Sequence, residues 1–443
     1  MANSIRFQKE DSPKPVRVLL IAERANPEYA SIPLRGWCHS RAIADLADAH
    51  IVTQHWNGPA YLRAGFTNFT GINTSLVHEP MKLAIAALRG GKGKGWTVDT
   101  ALSALEYYFF EFMLWKKFGP LIQSGKFDIV HRLIPSSPTV PSLIAAKCKK
   151  AGIPFVLGPI NGGLPWPQAF NTARHEEKEW LSYIRDMYRL MPGYKSTREQ
   201  AAAIIVGSQS TLTQVAEPYR DKCIYFPANA VDIEQFQNQR QNSAMNSGPI
   251  KLIFVGRLVP YKGADMLIEA AADLLKASKL TLKILGDGPQ HDALAAQIKE
   301  NELTDSVTLV GKVPREQLQD YLSAADVFVF PSIREFGGAT VLEAMAIGLL
   351  PVVVDYGGPG EMVTPAVGYK VPLGDRTEIV ERFRQVLGEI VAHPEKIDVM
   401  GQRSRQRILD KFTWQERAQQ TLDVYRWVLS KDNISKPTYD YSG

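Results

Sequence analysis

Short apolar runs alternate with amphipathic stretches along most of the chain. In the second half the runs are Lys251–Val255 (KLIFV), Thr281–Leu285, Val307–Val310, Val327–Phe330 and Pro351–Asp355. Each has the length and continuous hydrophobicity of a strand buried on both faces. Between them lie helical patterns at Ala264–Ala277, His291–Glu300 and Arg315–Ala324, and a fourth helix begins at VLEAMA, just after Gly338. Leu267, Ala270, Ala271, Leu274 and Leu275 share one face of the first of these, the stripe that a helix lays against a sheet. Strand and helix alternating at this spacing predict a parallel sheet covered on both sides.

The first half keeps the same rhythm less regularly. Strands are predicted at Val16–Ala22, His50–Thr53, Phe127–His131, Ile153–Leu157, Ala203–Val206 and Ile224–Phe226, and helices at His39–Ala49, Met81–Leu88 and Leu102–Leu121. Ser31–Trp37 (SIPLRGW) reads as a loop at the carboxyl end of the first strand, and residues 57–100 carry little other order. Gln235–Pro249 is polar with turn residues at its end, which marks a linker. The expected fold class is α/β, two doubly wound domains with a cleft between them.

Composition narrows this little further. The chain has 443 residues, 45% hydrophobic and 22% charged, as a soluble globular protein has. Its polar start has no apolar run of signal-peptide length. Cys38, Cys148 and Cys223 lack metal-ligand spacing and read as reduced thiols of a cytoplasmic protein. Residues 1–228 carry 27 Lys and Arg against 18 Asp and Glu, and the remainder 24 against 28. A basic first half could face an anionic membrane or an acidic acceptor; a solvated surface is the simpler reading. The aromatic, partly basic segment ending in Lys116-Lys117 is open to the same two readings. Tyr107, Phe110 and Leu114 recur at helical spacing and favour a core helix. No basic run interleaves with aromatics, so a nucleic-acid partner is not expected.

The loops after the second-half strands hold the candidate chemistry. Gly256-Arg257 follows the first, Gly286-Asp287-Gly288-Pro289 the second, Gly311 the third, and PSIREFGGAT the fourth. All should line the carboxyl edge of one sheet, where open α/β sheets bind ligands. Arg257 and Lys262 are two cations in one glycine-flanked loop, a guanidinium fork and a point charge suited to a diphosphate. Gly337-Gly338, followed by Ala339 and Thr340, let a helix start approach the same group with its unbonded N–H groups. Glu343 could accept from ribose hydroxyls, leaving Glu335 to face whatever the diphosphate carries. That ligand is a nucleotide sugar. In the first half, Gly36 in the SIPLRGW loop and Asn161 and Gly162 in GPINGGLPWP are candidates for the opposite, acceptor side. His131 ends its strand and either faces the cleft or is an internally satisfied residue.

GRLVPYKG, GDGP, the Glu335 to Glu343 pair inside PSIREFGGATVLEAMAIGLLPVVV, and VGYKVPLGD resemble the donor domain of the retaining glycosyltransferases of family 4. The resemblance covers residues 251–375, and Phe226–Phe236 is similar to that family's inter-domain segment. It implies the GT-B fold, with two Rossmann-like domains. The first would span 1–228 and bind the acceptor, the second 229–412 and bind the donor. The segment 413–443, with its helix Trp414–Leu429, would return to the first. It implies that Gly256, Arg257, Lys262, Phe336, Gly337, Gly338, Ala339, Thr340 and Glu343 hold the donor and that Arg257, Lys262, Glu335 and His131 serve catalysis. The reaction would move a sugar from a nucleoside diphosphate to an acceptor hydroxyl with anomeric retention. The sequence contains no Asp-x-Asp, which fits a reaction without metal or cofactor. The expected location is cytoplasmic, with peripheral contact at the inner membrane face left open.

The chain departs from the family at two points. Phe336 stands where the family has glycine, and His131-Arg132-Leu133 keeps the first His of a His-x-His. Alternatives remain an epimerase or phosphorylase of the same plan, or a non-catalytic subunit that binds the sugar nucleotide.

Overall fold

The computed structural model describes residues 15–88, 96–170, 188–236, 248–430 and 434–443. The first 14 residues and most of the expected linker, 237–247, lie outside the described residues.

Among the described residues, thirteen strands form two parallel sheets. The first has β1 (Arg17–Ala22), β2 (Asp48–Gln54), β3 (Phe69–Ile72), β4 (Ile129–Ile134), β5 (Phe155–Ile160), β6 (Ala203–Val206) and β7 (Cys223–Tyr225), in the order β3-β2-β1-β4-β5-β6-β7. The second has β8 (Ile250–Val255), β9 (Leu280–Leu285), β10 (Val307–Gly311), β11 (Val327–Phe330), β12 (Leu350–Val354) and β13 (Tyr369–Val371), in the order β10-β9-β8-β11-β12-β13. In each sheet the order reverses beside the first strand, between β1 and β4 and between β8 and β11. Crevices at such reversals are where these folds take ligands.

The second sheet follows its hydrophobic runs closely. All four residues of β11 and all five of β12 are buried. Helix Ala264–Lys276 buries Leu267, Ala270, Ala271 and Leu275, while Leu274 is half-buried at the edge of the stripe.

The first domain differs from expectation in ways that move candidate residues. Ser31–Trp37 is no loop, since a helix runs Ile32–Ala44 and starts on Pro33. Proline is favoured there, because its fixed φ suits the first turn and its missing N–H is not needed. β3 forms in the stretch that showed little order, and helix Ser75–Leu88 precedes the one expected near residue 81 by six residues. β4 continues three residues beyond His131. Helix Trp96–Gln123 buries Tyr107, Phe110, Leu114 and Phe118 and exposes Leu105 and Phe112. Among the described residues no helix is long and apolar enough to cross a membrane.

Helix Trp414–Leu429 buries Arg417, Ala418, Thr421, Val424, Tyr425 and Val428, a continuous i, i+3, i+4 face. That face packs on the first domain. Thr421 Oγ1 lies 3.0 Å from His39 Nε2, and Tyr425 Oη lies 2.6 Å from His131 Nδ1.

Candidate active site

Because β8 lies beside β11, the loops that leave their carboxyl ends touch. The Ile333 N–H donates to the Tyr261 carbonyl at 3.0 Å, and the Ser332 hydroxyl donates to the same oxygen at 3.2 Å. On the other side, the loop after β9 closes on the loop after β8: the Leu258 N–H donates to Asp287 O and the Gln290 N–H to Leu258 O, both at 3.0 Å. Gly286 sits at φ +139°, where a Cβ would run into the Gly256 carbonyl. The glycines of GRLVPYKG and GDGP thus permit three loops to meet at one sheet edge.

Inside this junction the Lys262 ammonium pairs with the Glu335 carboxylate, their side chains 12% and 21% exposed. The second Glu335 oxygen accepts the N–H of Gly337 at 3.2 Å and of Gly338 at 3.1 Å. Gly338, at φ +55°, opens the helix Ala339–Ile347. Burial pushes the Glu335 carboxyl upward, but Lys262 and the two N–H groups outweigh it and hold the group below the usual carboxylate range. An ammonium and two helix-start amides therefore already grip the two oxygens of one carboxylate. Arg257 is exposed directly after β8 on the same edge, and Gly256 lies against Phe254 and Phe330.

Glu343 is placed differently from expectation. Its side chain is 6% exposed and pairs with Arg315, whose Nη2 lies 2.9 Å from Oε1. Burial raises its carboxyl above the usual range, and Arg315 only partly opposes this. Arg315 opens the helix after β10. It had a legible signal, a cation just past another carboxyl-edge loop, but its partner lies 28 residues away in sequence.

The first domain supplies the opposite wall. Asn161 Nδ2 donates to the Phe336 carbonyl at 3.3 Å, and Asn229, which the site prediction missed, donates through Nδ2 to the Gly337 carbonyl at 2.7 Å. A Cβ on Gly337 would strike the Asn229 amide, so this glycine keeps room for the bond from Asn229, at the junction between the two domains. The Gly162 N–H donates to Thr211 Oγ1 at 3.1 Å, which fixes its loop within the first domain. The Arg334 guanidinium lies 4.7 Å from the Trp166 ring centre and 5.1 Å from that of Phe336. Trp166 and Phe336 thus sandwich a cation across the cleft.

Two expected site residues are corrected. His131 does not face the cleft: it is fully buried in β4, its Nε2–H donates to the Gly158 carbonyl at 2.6 Å, and its Nδ1 accepts from the Tyr425 hydroxyl. Burial lowers its pKa to about 4, so the ring is neutral and has no lone pair left for a substrate. Gly36 lies within a helix, where a Cβ would come 2.6 Å from Ile134 Cγ1. It packs its helix closely on β4 and lines the small cavity beside Arg35 and Ser136.

Residues 235–407 match the family model described as glycosyl transferases group 1. The second domain belongs to that family. Relatives of the group 1 glycosyltransferase domain include a D-inositol 3-phosphate glycosyltransferase of Kribbella flavida, 30% identical over 52% of this chain and 55% of that protein. An alpha-maltose-1-phosphate synthase of Mycobacterium tuberculosis is 33% identical over 40% of this chain and 48% of that one. The chain spans about half the length of the curated relatives it matches. A glycosyltransferase of Rickettsia africae superposes over 94% of this chain and 99% of its own, with TM-score 0.62 and 14% identity. Anabaena HepE in complex with UDP does so over 93% and 100%, with TM-score 0.61 and 15% identity. The two domains together have the GT-B fold.

Proposed function

We propose that the protein transfers a sugar from a nucleoside-diphosphate sugar to an acceptor hydroxyl, with retention of anomeric configuration. The observation that carries this reading is the Lys262 ammonium and the Gly337 and Gly338 amides converging on one carboxylate, the ammonium on one Glu335 oxygen and the amides on the other, against the opposite wall of the cleft. A diphosphate entering there would take these donors from Glu335, with Arg257 at the same loop adding a fourth. The released Glu335 carboxylate would then lie beside the sugar the diphosphate carries. As the bond to the sugar breaks, negative charge grows on the leaving diphosphate. Donors already in place stabilise that charge, and one such donor is typically worth about 100-fold or more in rate.

The Kribbella and Mycobacterium relatives, one named a glycosyltransferase and the other a sugar-phosphate synthase, are consistent with this chemistry. His131 has no part in it. Glu343, held by Arg315, would accept from ribose hydroxyls, as acidic residues do in dinucleotide sites.

The test is a panel of UDP-, GDP- and ADP-sugars. A donor bound by the folded protein raises its melting temperature. Transfer to an acceptor, followed by NMR of the product anomer, reads the stereochemistry. Lys262→Ala is expected to lose at least 100-fold in kcat/KM. No stabilisation by any nucleotide sugar or nucleoside diphosphate would sink the reading, as would a sugar changed without any acceptor, which is the signature of an epimerase.

A further inference from the structure

We propose that Arg35, with the hydroxyl of Ser136, forms an anion subsite on the first-domain wall of the cleft that takes a phosphate or carboxylate group of the acceptor. This rests on reading the cleft as a glycosyltransferase site.

Arg35 is the fourth residue of the helix Ile32–Ala44, and its Nη2 donates to Ser136 Oγ just beyond β4. Ser136 is 4% exposed, and its carbonyl accepts the Asn161 N–H at 2.8 Å. Asn161 in turn bonds Phe336 on the donor loop, so the guanidinium stands one short relay from the predicted reaction centre. A cavity of about 10 Å³ beside Arg35 and Ser136 also touches Ala228, whose neighbour Asn229 bonds Gly337. That space holds about one water. An anion must therefore reach Arg35, a half-buried residue, from its exposed side.

The other arginines show what Arg35 lacks. Arg17, Arg24, Arg63, Arg315 and Arg376 each pair with a carboxylate. The buried Arg132, Arg198 and Arg407 each donate to two or more backbone carbonyls. Among the described residues Arg35 has one neutral hydroxyl and no carboxylate. Burial lowers its pKa to about 10, and no neighbouring acid opposes the shift. Holding a desolvated guanidinium on so few acceptors is costly, and a forked pair of bonds to an oxyanion offsets that cost. The donor cradle lies on the other domain, so an anion at Arg35 belongs to the second substrate.

The experiment titrates inorganic phosphate by calorimetry into the full chain saturated with UDP, which fills the donor cradle. Arg35→Gln is expected to weaken phosphate binding at least tenfold while UDP affinity stays within twofold. Ser136→Ala, which leaves the guanidinium in place, should weaken phosphate about threefold and gives a second reading should Arg35→Gln fail to fold. Unchanged phosphate affinity in these variants overturns the proposal. So does a tenfold loss of UDP affinity in Arg35→Gln with phosphate unaffected, which would assign Arg35 to the donor diphosphate. If none of UDP, GDP and ADP binds the wild type but phosphate binding still depends on Arg35, the glycosyltransferase reading falls and the anion subsite stands.

Discussion

Glu335 and a substrate diphosphate would compete for the same three donors, and that competition makes Glu335 more informative than a simple knockout. Glu335→Gln keeps the shape of the side chain but removes the charge that draws Lys262 and the Gly337 and Gly338 amides. It is expected to bind UDP several-fold more tightly, because the cradle then meets the ligand without an internal rival, while turnover falls by about 100-fold or more. Calorimetry beside steady-state kinetics checks both halves, and weaker UDP binding would refute the competition. His131 offers a prediction of another kind. Its pKa falls from about 6.5 unfolded to about 4 folded. In that window the unfolded state binds more protons, so the stability from a neutral His131 is complete above pH 6.5 and lost as pH falls toward 4. The loss by pH 4.5 is on the order of 2 kcal/mol. His39, also depressed by burial, acts in the same sense, while the raised carboxyls of Glu23, Glu111 and Glu343 act in the opposite one. Comparing wild type with His131→Gln isolates the residue: urea unfolding at pH 7 and 4.5 should differ by about 2 kcal/mol less in the variant.

At the scale of elements, the second domain was legible because its strands are short, continuous apolar runs and its helices keep one stripe. Val327–Phe330, His291–Glu300 and Trp414–Leu429 end where the pattern ends. Reading failed where local signals conflict. Pro33 and Gly36 suggested a loop, yet proline at a helix start and a glycine against Ile134 are both compatible with the helix Ile32–Ala44. β3 (FTGI) is too short and too mixed to show a period of two. The glycines themselves differ in burden, and that can be measured. Gly286 combines a positive φ with a carbonyl in the place of any Cβ, so Gly286→Ala is expected to cost more than about 3 kcal/mol in urea unfolding. Gly311, also at positive φ but with open space around it, should cost only about 1 kcal/mol on the same change. Equal costs would mean that the contact between the loops after β8 and β9 does not constrain the fold.

At the scale of the whole molecule, polar side chains among the described residues tie the two domains. Asn161 and Asn229 bond the donor-loop carbonyls, the Tyr356 hydroxyl donates to Pro165 O at 2.8 Å, and Glu361 accepts the Gln209 N–H at 2.9 Å and the Tyr225 hydroxyl at 2.8 Å. Polar links of this kind favour opening and closing of the cleft, since polar interfaces between domains permit relative motion. A double variant, Asn161→Ala with Asn229→Ala, should leave the melting temperature within a few degrees and raise the donor KM several-fold. Its radius of gyration by X-ray scattering should also increase. An unchanged KM would show that these bonds do not govern closure.

The alternation of strands and helices, the parallel sheets it implies and the glycine-led loops could be read from the sequence alone, because each follows from local periodicity and turn chemistry that neighbouring residues suffice to express. Which charges meet was settled only by the tertiary structure. Lys262 with Glu335, Arg315 with Glu343, Asn229 with Gly337 and Arg35 without an acid are outcomes of packing residues far apart in sequence. His131 shows the same division in a single residue: its strand could be read from the chain, but the direction of its ring and the Tyr425 hydroxyl it meets 294 positions later could not.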